Sequence, residues 1–534
     1  PVPNAVYGYI VGAAVAHGRI ERIDDVEALK APGVLGIVTH RNSGLVAAPQ
    51  FLKVKTLAGP EVDHYHQAVA VVVAETFEQA RDAAALVRIS YAAARGRFDL
   101  AAQRDTAPVA PEYILGPSES RVNDFDGAFA AAPVKLDETY TTPDQSHAMM
   151  EPQASIAAWE GDRVTCWTSI QTVQVAAGDL ANAIGIRKEN IRIITPYVGG
   201  GFGSKSFMCA DLALAALAAR MVRRPVKVAM QRALIFNNTT HRPATIQRIR
   251  IGAERDGTIT AIGHECLFGN VPGSWQENGV VPTRHLYAGA NRLTVARMAT
   301  LDLPEGSTMR APCEATGMMA LEVAMDEMAE KLGIDPVEFR IINDAKSNPE
   351  TPERPFSQRD LVGCFRTGAE RFGWSRRNAK PGETREGRWL IGMGTASAIR
   401  GAIAFPSAAR VRLGRDGIVT VETDMTDIGT GSYTIVAQTA AEMMGTDVDR
   451  VVVHLGDSLL PPTAGSGGQF GAASVTAAVY AACIRLREAV ARRLGADAGS
   501  VDFVDGRVQA GNRSLSLAEA AADGELVGED VCEY

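Results

Sequence analysis

The sequence predicts a mixed α/β protein of the α+β type, built from several domains. Its 534 residues exceed what one hydrophobic core usually serves. Segments that alternate apolar and polar residues, as strands do, are repeatedly followed by Ala- and Leu-rich segments typical of helices. Three glycine-rich loops each stand between such a strand and such a helix. These three observations predict strand–loop–helix units in which each loop leads into a helix.

The composition is that of an ordinary soluble globular protein and argues against several classes. Hydrophobic residues make up 46% of the chain and charged residues 22%, which is sufficient for packed cores. The net charge is −8 and no basic run occurs, so nucleic acid is not an expected partner. No uncharged apolar stretch reaches the length of about 18 residues that crosses a bilayer, so membrane insertion is not expected either.

The seven cysteines are scattered, and no two of them form a C-x-x-C pair. This spacing argues against a zinc or iron–sulfur framework built within this chain. Any electron-transfer cluster is therefore expected on another chain.

A compact α/β unit is expected over residues 1–105. Strands are predicted at 7–11, 34–38 and 67–73, and helices at 23–30 and 78–86. The unit lacks paired acids and metal-spaced histidines. A Pro- and Ala-rich passage over 101–120 then predicts a linker.

A second unit is expected over residues 121–375, and it begins with a strand at 132–141. His147 and Glu151 follow, four positions apart, a spacing that suits a metal or acid/base pair on a helix. Because Pro143 and Pro152 argue against a long helix there, an orienting hydrogen-bond role is favoured over a metal site.

The central glycine loop is Val198-Gly-Gly-Gly-Phe-Gly-Ser-Lys205, between a predicted strand at 190–195 and a predicted helix at 211–221. Its four glycines allow a bound group to approach the backbone, and the following helix favours an anion. A P-loop fits poorly, because Ser204 stands where that motif needs glycine and Pro196 interrupts the strand. The G-x-G-x-x-G dinucleotide fingerprint is also missing.

Two polar residues of this unit stand at positions suited to ligand contact. Gln171 ends a predicted strand that starts at Cys166. Arg310 lies in a turn of small residues before a predicted helix at 315–332. Its permanent charge and fork of donors suit a phosphate or oxyanion, although a surface arginine is the plain alternative.

A third unit, over residues 388–534, contains two more strand–glycine loop–helix arrangements. One loop spans 426–432 before a helix predicted at 435–444, and the other spans 463–472 before a helix ending near Arg493. Three loops able to bind anions suggest one extended, phosphate-bearing cofactor between domains.

Five motifs in order give the chain a family resemblance. They are Gln171, Gly199–Gly203, Met309–Pro312, Asp427–Gly431 and Gly465–Gln469. With them the chain resembles the molybdenum-binding subunit of the xanthine oxidase/aldehyde oxidase family, and most of all the bacterial periplasmic aldehyde oxidases. The resemblance implies an N-terminal α/β hammerhead domain followed by two elongated molybdenum-cofactor-binding domains, the second of them incomplete here. The implied cofactor is molybdenum–molybdopterin cytosine dinucleotide.

The resemblance also implies roles for individual residues. Gly201 and Phe202 would lie beside the molybdenum ligands, and Gln171 would hydrogen-bond the oxo side of the cofactor. Arg310 would lie near the metal and Arg400 in the substrate pocket. The pterin dinucleotide would be bound through the backbone of Ile428, Gly429, Thr430, Gly471 and Ala472. No side chain would ligate the metal, because the pterin dithiolene holds it.

The implied reaction is the oxidation of aldehydes to carboxylic acids with water as the oxygen source. Electrons would pass to an iron–sulfur subunit carrying [2Fe-2S] clusters and to an FAD subunit, in a heterotrimer located in the periplasm or, alternatively, in the cytoplasm. A hydroxylase of N-heterocyclic aromatics is the alternative within the family. Ser206 favours aldehydes over purines, because purine-hydroxylating relatives carry a glutamate there.

Two alternatives belong to other classes. One is a P-loop-like nucleotide-binding protein with Asp457 as its magnesium carboxylate, and the other is a non-catalytic assembly subunit. The family's catalytic glutamate is expected in a C-terminal segment beyond Tyr534. Val527-Gly-Glu529 imitates the end of that motif but lacks its glycine-lysine lead.

Overall fold

The computed structural model describes residues 2–44, 57, 59–112 and 116–533. Strands and helices alternate along these residues, which confirms the mixed α/β class. None of the helices in the described ranges is both long and apolar enough to cross a membrane.

The N-terminal region supplies a set of short strands with two covering helices. These elements are β1 (Val6–Gly12), β2 (Gly18–Asp24), α1 (Val26–Lys30), β3 (Val34–Thr39), β4 (Glu61–Val62), β5 (Ala68–Ala74), α2 (Phe77–Ala84) and β6 (Arg88–Ala93). The predicted strands at 7–11, 34–38 and 67–73 are confirmed. The helix predicted at 23–30 is wrong at its start, because Ile23 belongs to β2, where it pairs with Ile89 and is buried.

The central region is the largest of the three, and its described residues contribute strands to three sheets. Its elements are β7 (Glu119–Val122), α3 (Phe125–Ala131), β8 (Val134–Thr142), β9 (Gln145–Ser146), β10 (Ala154–Glu160), β11 (Arg163–Thr168), α4 (Val173–Ile184), β12 (Ile191–Ile194), α5 (Ala210–Val222), β13 (Val226–Ala229), α6 (Arg232–Asn238), β14 (His241–Arg242), β15 (Thr245–Ala253), β16 (Ile259–Asn270), β17 (Asn291–Thr300), α7 (Glu314–Leu332), α8 (Pro336–Ile342) and α9 (Leu361–Phe372).

One seven-stranded sheet joins the N-terminal and central regions in the order β12-β11-β10-β13-β1-β5-β3. Strand β1 pairs in parallel with β13, with Tyr7 opposite Lys227. The N-terminal unit therefore continues a neighbouring sheet, an arrangement that leaves neither β1 nor β13 as an exposed edge. Helix α5 packs on this sheet, with residues 210–219 buried.

The passage predicted as a linker, 101–120, packs against the second sheet where it is described. Ala107 and Ala110 are buried, and Val109 forms an isolated β-bridge with Arg297 of β17. Residues 113–115 lie outside the described ranges. This stretch is thus not a free linker, because its alanines cover the five-stranded sheet β7-β17-β16-β15-β8.

The third region has a four-stranded sheet, β22-β21-β20-β26, covered by two long helices. Its elements are β18 (Arg385–Glu386), β19 (Trp389–Leu390), β20 (Ser407–Leu413), β21 (Val419–Glu422), α10 (Ser432–Met444), β22 (Val451–His454), α11 (Phe470–Leu494), β23 (Val501–Val504), β24 (Arg507–Ala510), β25 (Arg513–Ser516), α12 (Leu517–Ala520) and β26 (Leu526–Cys532). Glu529 lies in β26, and its carboxylate pairs with Arg410 of β20 at 2.6 Å. This ion pair links two neighbouring strands of the sheet.

The third region is attached to the central one along β12. Thr195 N donates to Gly456 O at 2.6 Å, and Ser458 N donates to Ile193 O at 3.0 Å. Arg192 donates to Asp457 through Nε, to Oδ1 at 3.2 Å, and through Nη2, to Oδ2 at 2.5 Å. This docking places the glycine-rich loops of the two regions against each other.

Candidate active site

Gln171 is the point at which the three glycine-rich loops meet. It follows β11 and is 2% exposed. Its side-chain Oε1 accepts from Gly203 N at 3.0 Å, and its Nε2 donates to Ser466 O at 2.7 Å. Its main-chain N donates to Lys205 O at 2.7 Å, and its main-chain O accepts from Thr426 Oγ1 at 3.1 Å. One residue therefore contacts all three loops, as well as joining two regions of the fold.

The central loop approaches the Gln171 side chain so closely that a Cβ at Gly201 would displace it. A Cβ added at Gly201 would lie 2.3 Å from Gln171 Oε1. Gly200 and Gly203 have φ angles of 82° and 105°, in the left-handed region that favours glycine. Phe202 shares this region, with φ 54°, and its ring is partly exposed. The loop thus turns its backbone toward Gln171 and leaves Phe202 open at the surface.

Lys205 is buried and paired, which does not fit a P-loop lysine. Its Nζ lies 2.6 Å from Glu151 Oε2, an oxygen that also accepts from Ser169 Oγ at 2.5 Å and Gly199 N at 2.8 Å. Burial by itself raises the pKa of Glu151, but Lys205 and the other donors hold it below its usual value. Helix α5 does not begin until Ala210, so no phosphate cradle runs directly into it.

His147 has the orienting role that its surroundings predicted. Its Nδ1 lies 3.1 Å from Thr240 O and its Nε2 lies 2.8 Å from Thr308 O. Within the described ranges, no three or more His, Cys, Asp or Glu residues form a group that could hold a metal ion. Burial lowers the pKa of His147 to about 4.

Replacing His147 with glutamine is expected to reduce the acid sensitivity of the fold. Because the folded pKa of about 4 lies below the ordinary 6.5, the unfolded chain binds a proton first as the pH falls. The stability that the neutral imidazole contributes above pH 6.5 is therefore lost between pH 6.5 and 4. Urea midpoints should fall less over this range for His147→Gln than for wild type or for the exposed control His454→Gln. Equal slopes for all three would contradict this assignment.

Arg310 lies directly beside Phe202. Its main-chain N donates to Phe202 O at 2.9 Å, so the turn of small residues packs on the central loop. The side chain is exposed, and its guanidinium makes no hydrogen bond or ion pair with any described residue. A free cation thus stands next to the glycine loop.

Arg400 is engaged by two groups from different parts of the chain. Its Nη1 lies 2.6 Å from Glu314 Oε2, and its Nε donates to Gln469 Oε1 at 3.1 Å. Burial raises the pKa of Glu314, and the charge of Arg400 opposes that effect. Since Glu314 begins α7 and Gln469 precedes α11, Arg400 bridges the Arg310 turn and the third loop.

The residues expected to bind the dinucleotide surround two helix N-termini. Gly431 is the N-cap of α10, in whose first turn Tyr433 N donates to Asp427 Oδ2 at 3.3 Å. Gln469 is the N-cap of α11, which has no side-chain cap from the described residues. Space is open around the Cβ position of Gly429, and Ala472 in the first turn of α11 is exposed. The N–H donors at the N-terminus of α11 therefore fit a group that carries phosphates.

The residues that the sequence predicts for the site thus lie close together, and they differ in how exposed their side chains are. Gln171, Gly201, Phe202 and Arg310 share one contact network, and Arg400 joins it through Glu314 and Gln469. The sequence did not indicate that Lys205 pairs with Glu151 or that Glu314 pairs with Arg400. Arg400 and Glu314 are 86 positions apart, and no sequence pattern signals such a pair.

Family models match almost the whole chain. Residues 1–95 match the model described as the aldehyde oxidase and xanthine dehydrogenase a/b hammerhead domain. Residues 108–344 and 367–531 match two models that are each described as a molybdopterin cofactor-binding domain. The hammerhead domain and two cofactor-binding domains implied by the resemblance are thereby confirmed.

Individual relatives agree with these models. The chain is 55% identical over 532 residues to the aldehyde oxidoreductase molybdenum-binding subunit PaoC of Escherichia coli K12, covering 100% of this chain and 72% of that protein. In fold it is similar to quinoline 2-oxidoreductase of Pseudomonas putida 86, with a TM-score of 0.83, 20% identity and coverage of 100% of this chain and 76% of that one. It is also similar to the aldehyde oxidoreductase of Desulfovibrio gigas, with a TM-score of 0.79, 22% identity and coverage of 99% and 60%. The chain therefore belongs to the molybdopterin-binding subunits of the xanthine oxidase/aldehyde oxidase family.

Proposed function

We propose that this chain, as the molybdenum-binding subunit of an oxidoreductase, oxidises aldehydes to carboxylic acids. In the overall reaction RCHO and H₂O give RCOOH, two protons and two electrons, so water supplies the new oxygen. The observation that carries the proposal is the meeting of three glycine-rich loops at Gln171, beside the free cation of Arg310. The 55% identity to an aldehyde oxidoreductase subunit supports aldehydes as the substrate class.

The cofactor we assign is molybdenum–molybdopterin cytosine dinucleotide. The backbone of residues 428–430 and the first turn of α11, with Gly471 and Ala472, would hold its phosphates and pterin. The N-terminus of α11, which has no side-chain cap from the described residues, and the open space at Gly429 support this placement. Gly201 and Phe202 would face the metal end, where Gln171 fixes the loop.

The chain's own residues orient and stabilise the reactants. When bound, the molybdenum centre supplies the two-electron oxidant and the route for water-derived oxygen. The Arg310 guanidinium, which has no hydrogen-bond or ion-pair partner among the described residues, would place its positive charge where the carbonyl oxygen of an aldehyde becomes more negative. Arg400, already paired with Glu314, contributes a weaker field and a fixed wall of the substrate pocket. Gln171 keeps its amide between the loops, so that the reacting groups meet in a set geometry.

We further propose that the electrons leave through partner subunits carrying [2Fe-2S] clusters and FAD, in a periplasmic heterotrimer. The cysteines of this chain are unpaired, five of the seven are buried, and they form no cluster among the described residues. The E. coli relative carries the name of a molybdenum-binding subunit, which supports a multi-subunit enzyme.

The deciding experiment is metal analysis by mass spectrometry on the purified native assembly, with acid release of nucleotide. The proposal expects about one molybdenum and about one CMP per chain, as for a single cofactor site. An intact assembly that contains neither molybdenum nor CMP would indicate that this chain is a non-catalytic assembly subunit. Turnover of benzaldehyde is then compared with that of a quinoline-like ring, and a clear preference for the ring would replace aldehydes by N-heterocycles as the substrate class.

Replacing Arg400 with alanine is expected to lower kcat/KM for benzaldehyde about 10- to 100-fold, because a positive charge near the developing oxyanion is removed. Steady-state kinetics of the assembled enzyme measures this. The matched control is Arg485→Ala, which removes another exposed ion-paired arginine, with Asp530 at 2.8 Å, far along α11. If both variants lose activity equally, Arg400 has no special place at the substrate.

A further inference from the structure

We propose that Arg242 and Glu277 are positioning residues, a buried pair that holds the turn 308–313 so that Arg310 stays against Phe202. The inference rests on the proposed function for its kinetic consequence. Its structural consequence is independent of that function and is measured separately.

Arg242 clamps the backbone of the turn from within the core. It is 5% exposed on β14, and its Nη1 donates to Gln145 Oε1 at 2.7 Å on the paired strand β9. Its Nη2 lies 2.6 Å from both Met309 O and Arg310 O, and 3.4 Å from Ala311 O. The Nη2 nitrogen faces three consecutive carbonyls, while Nη1 and Nε of the same planar guanidinium point to Gln145 and Glu277. A lysine ammonium has one nitrogen and does not cover these three directions at once.

Glu277 holds the other end of the same turn. It is fully buried, and its Oε1 accepts from Cys313 N at 3.1 Å and Thr316 Oγ1 at 2.9 Å. The same oxygen lies 3.4 Å from Arg242 Nε. Burial raises the pKa of Glu277 to about 7, against the opposing charge of Arg242. The two side chains therefore contact each other, and each of them also contacts the backbone of the turn.

The turn needs such a clamp because its backbone is strained. Ala311 and Cys313, on either side of Pro312, have φ angles of 62° and 70°. Neither is glycine, and a non-glycine residue keeps such a backbone conformation only where its surroundings hold it. Phe202, whose carbonyl accepts from Arg310 N, is strained in the same way. Three residues with positive φ therefore lie on two segments that the hydrogen bond from Arg310 N to Phe202 O joins, and this geometry needs support from the surrounding side chains.

The test uses Arg242→Lys in the assembled enzyme with two readouts. The first is the rate at which iodoacetamide alkylates Cys313, measured by peptide mass spectrometry, because this thiol is fully buried under the clamped turn. Cys483, equally buried in the third region, reports any general unfolding. The second readout is kcat and KM for benzaldehyde. The matched control is Arg292→Lys, a buried arginine that donates to Tyr287 O at 3.0 Å and to other carbonyls of a different loop.

For Arg242→Lys, alkylation of Cys313 is expected to rise at least about tenfold with Cys483 still protected. The kcat is expected to fall about 100-fold with KM within about threefold, since small displacements of positioning groups act on the transition state. Arg292→Lys should change neither. If Arg242→Lys does not fold, Glu277→Gln is measured in its place, with the same expected pattern.

Unchanged protection of Cys313 with unchanged kcat would overturn the inference. So would parallel exposure of Cys313 and Cys483, or equal losses in the Arg292→Lys control, since both indicate general destabilisation. Failure of the proposed function looks different: the wild-type assembly would not oxidise aldehydes at all, while the alkylation readout would still report on the clamp.

Discussion

The Gln171→Ala variant is expected to retain less than about a tenth of the wild-type molybdenum and activity. Truncation leaves Gly203 N and Ser466 O buried without the side-chain partners they have at 3.0 and 2.7 Å. Each such loss costs about 1–3 kcal/mol, and both fall on loops that form the proposed cofactor cradle. Because the two loops belong to different regions of the fold, we expect the cradle to open rather than the protein to unfold.

Molybdenum and CMP per chain, together with benzaldehyde turnover, measure this effect on the purified assembly. Asn343→Ala is the matched control, because this buried amide also accepts from a main-chain N–H, Ile259 N at 2.9 Å, and donates to a carbonyl, Gly257 O at 2.8 Å, within the central region. It should keep its cofactor. Full cofactor in Gln171→Ala would show that the loops hold the cradle without this amide.

The Gly456→Ala variant is expected to destabilise the contact between the central and third regions by roughly 3 kcal/mol or more. Gly456 has φ 75°, and a Cβ there would lie 2.2 Å from Thr195 O and 2.9 Å from Pro196 N. Those atoms are backbone and cannot swing aside. The same residue accepts the 2.6 Å hydrogen bond from Thr195 N, so the alanine would displace the docking edge beside β12.

Gly495→Ala separates this backbone clash from simple φ strain. Gly495 ends α11 with φ 63°, and nothing lies within 4 Å of its Cβ position, so only the left-handed cost of about 1–2 kcal/mol applies. Differential scanning calorimetry and molybdenum content of both variants measure the difference. Equal effects of the two substitutions would mean that the tight contact at Gly456 contributes nothing.

Much of the secondary structure could be read from local patterns. The helices predicted at 211–221 and 315–332 are α5 and α7 within one residue at each end, because long Ala- and Leu-rich runs and acidic first turns are local signals. The start of α1 was misplaced, since Ile23 is equally compatible with a strand and its pairing with Ile89 decides between the two. The local preference for helix or strand is overridden where a partner distant in sequence buries the side chain.

The candidate site was predictable only in its components. The order of the glycine motifs pointed to a family and to Gln171, Phe202, Arg310 and Arg400, and the comparisons confirm that family. The roles of these residues stay predictions. No local pattern indicates that Lys205 is buried against Glu151. The sequence alone therefore argues against a phosphate-binding lysine motif, but it does not show which group Lys205 binds instead.

The sequence by itself therefore determined the fold class and the element types, because periodicity is a property of neighbouring residues, and it indicated the family through the resemblance of its motifs. Only the tertiary structure decided that the N-terminal strands continue the central sheet, that Gln171 joins three loops, and that Arg242 and Glu277 support a strained turn. The physical reason is that a buried polar group must find its partner wherever the fold brings one, and that partner is set by packing rather than by distance along the chain.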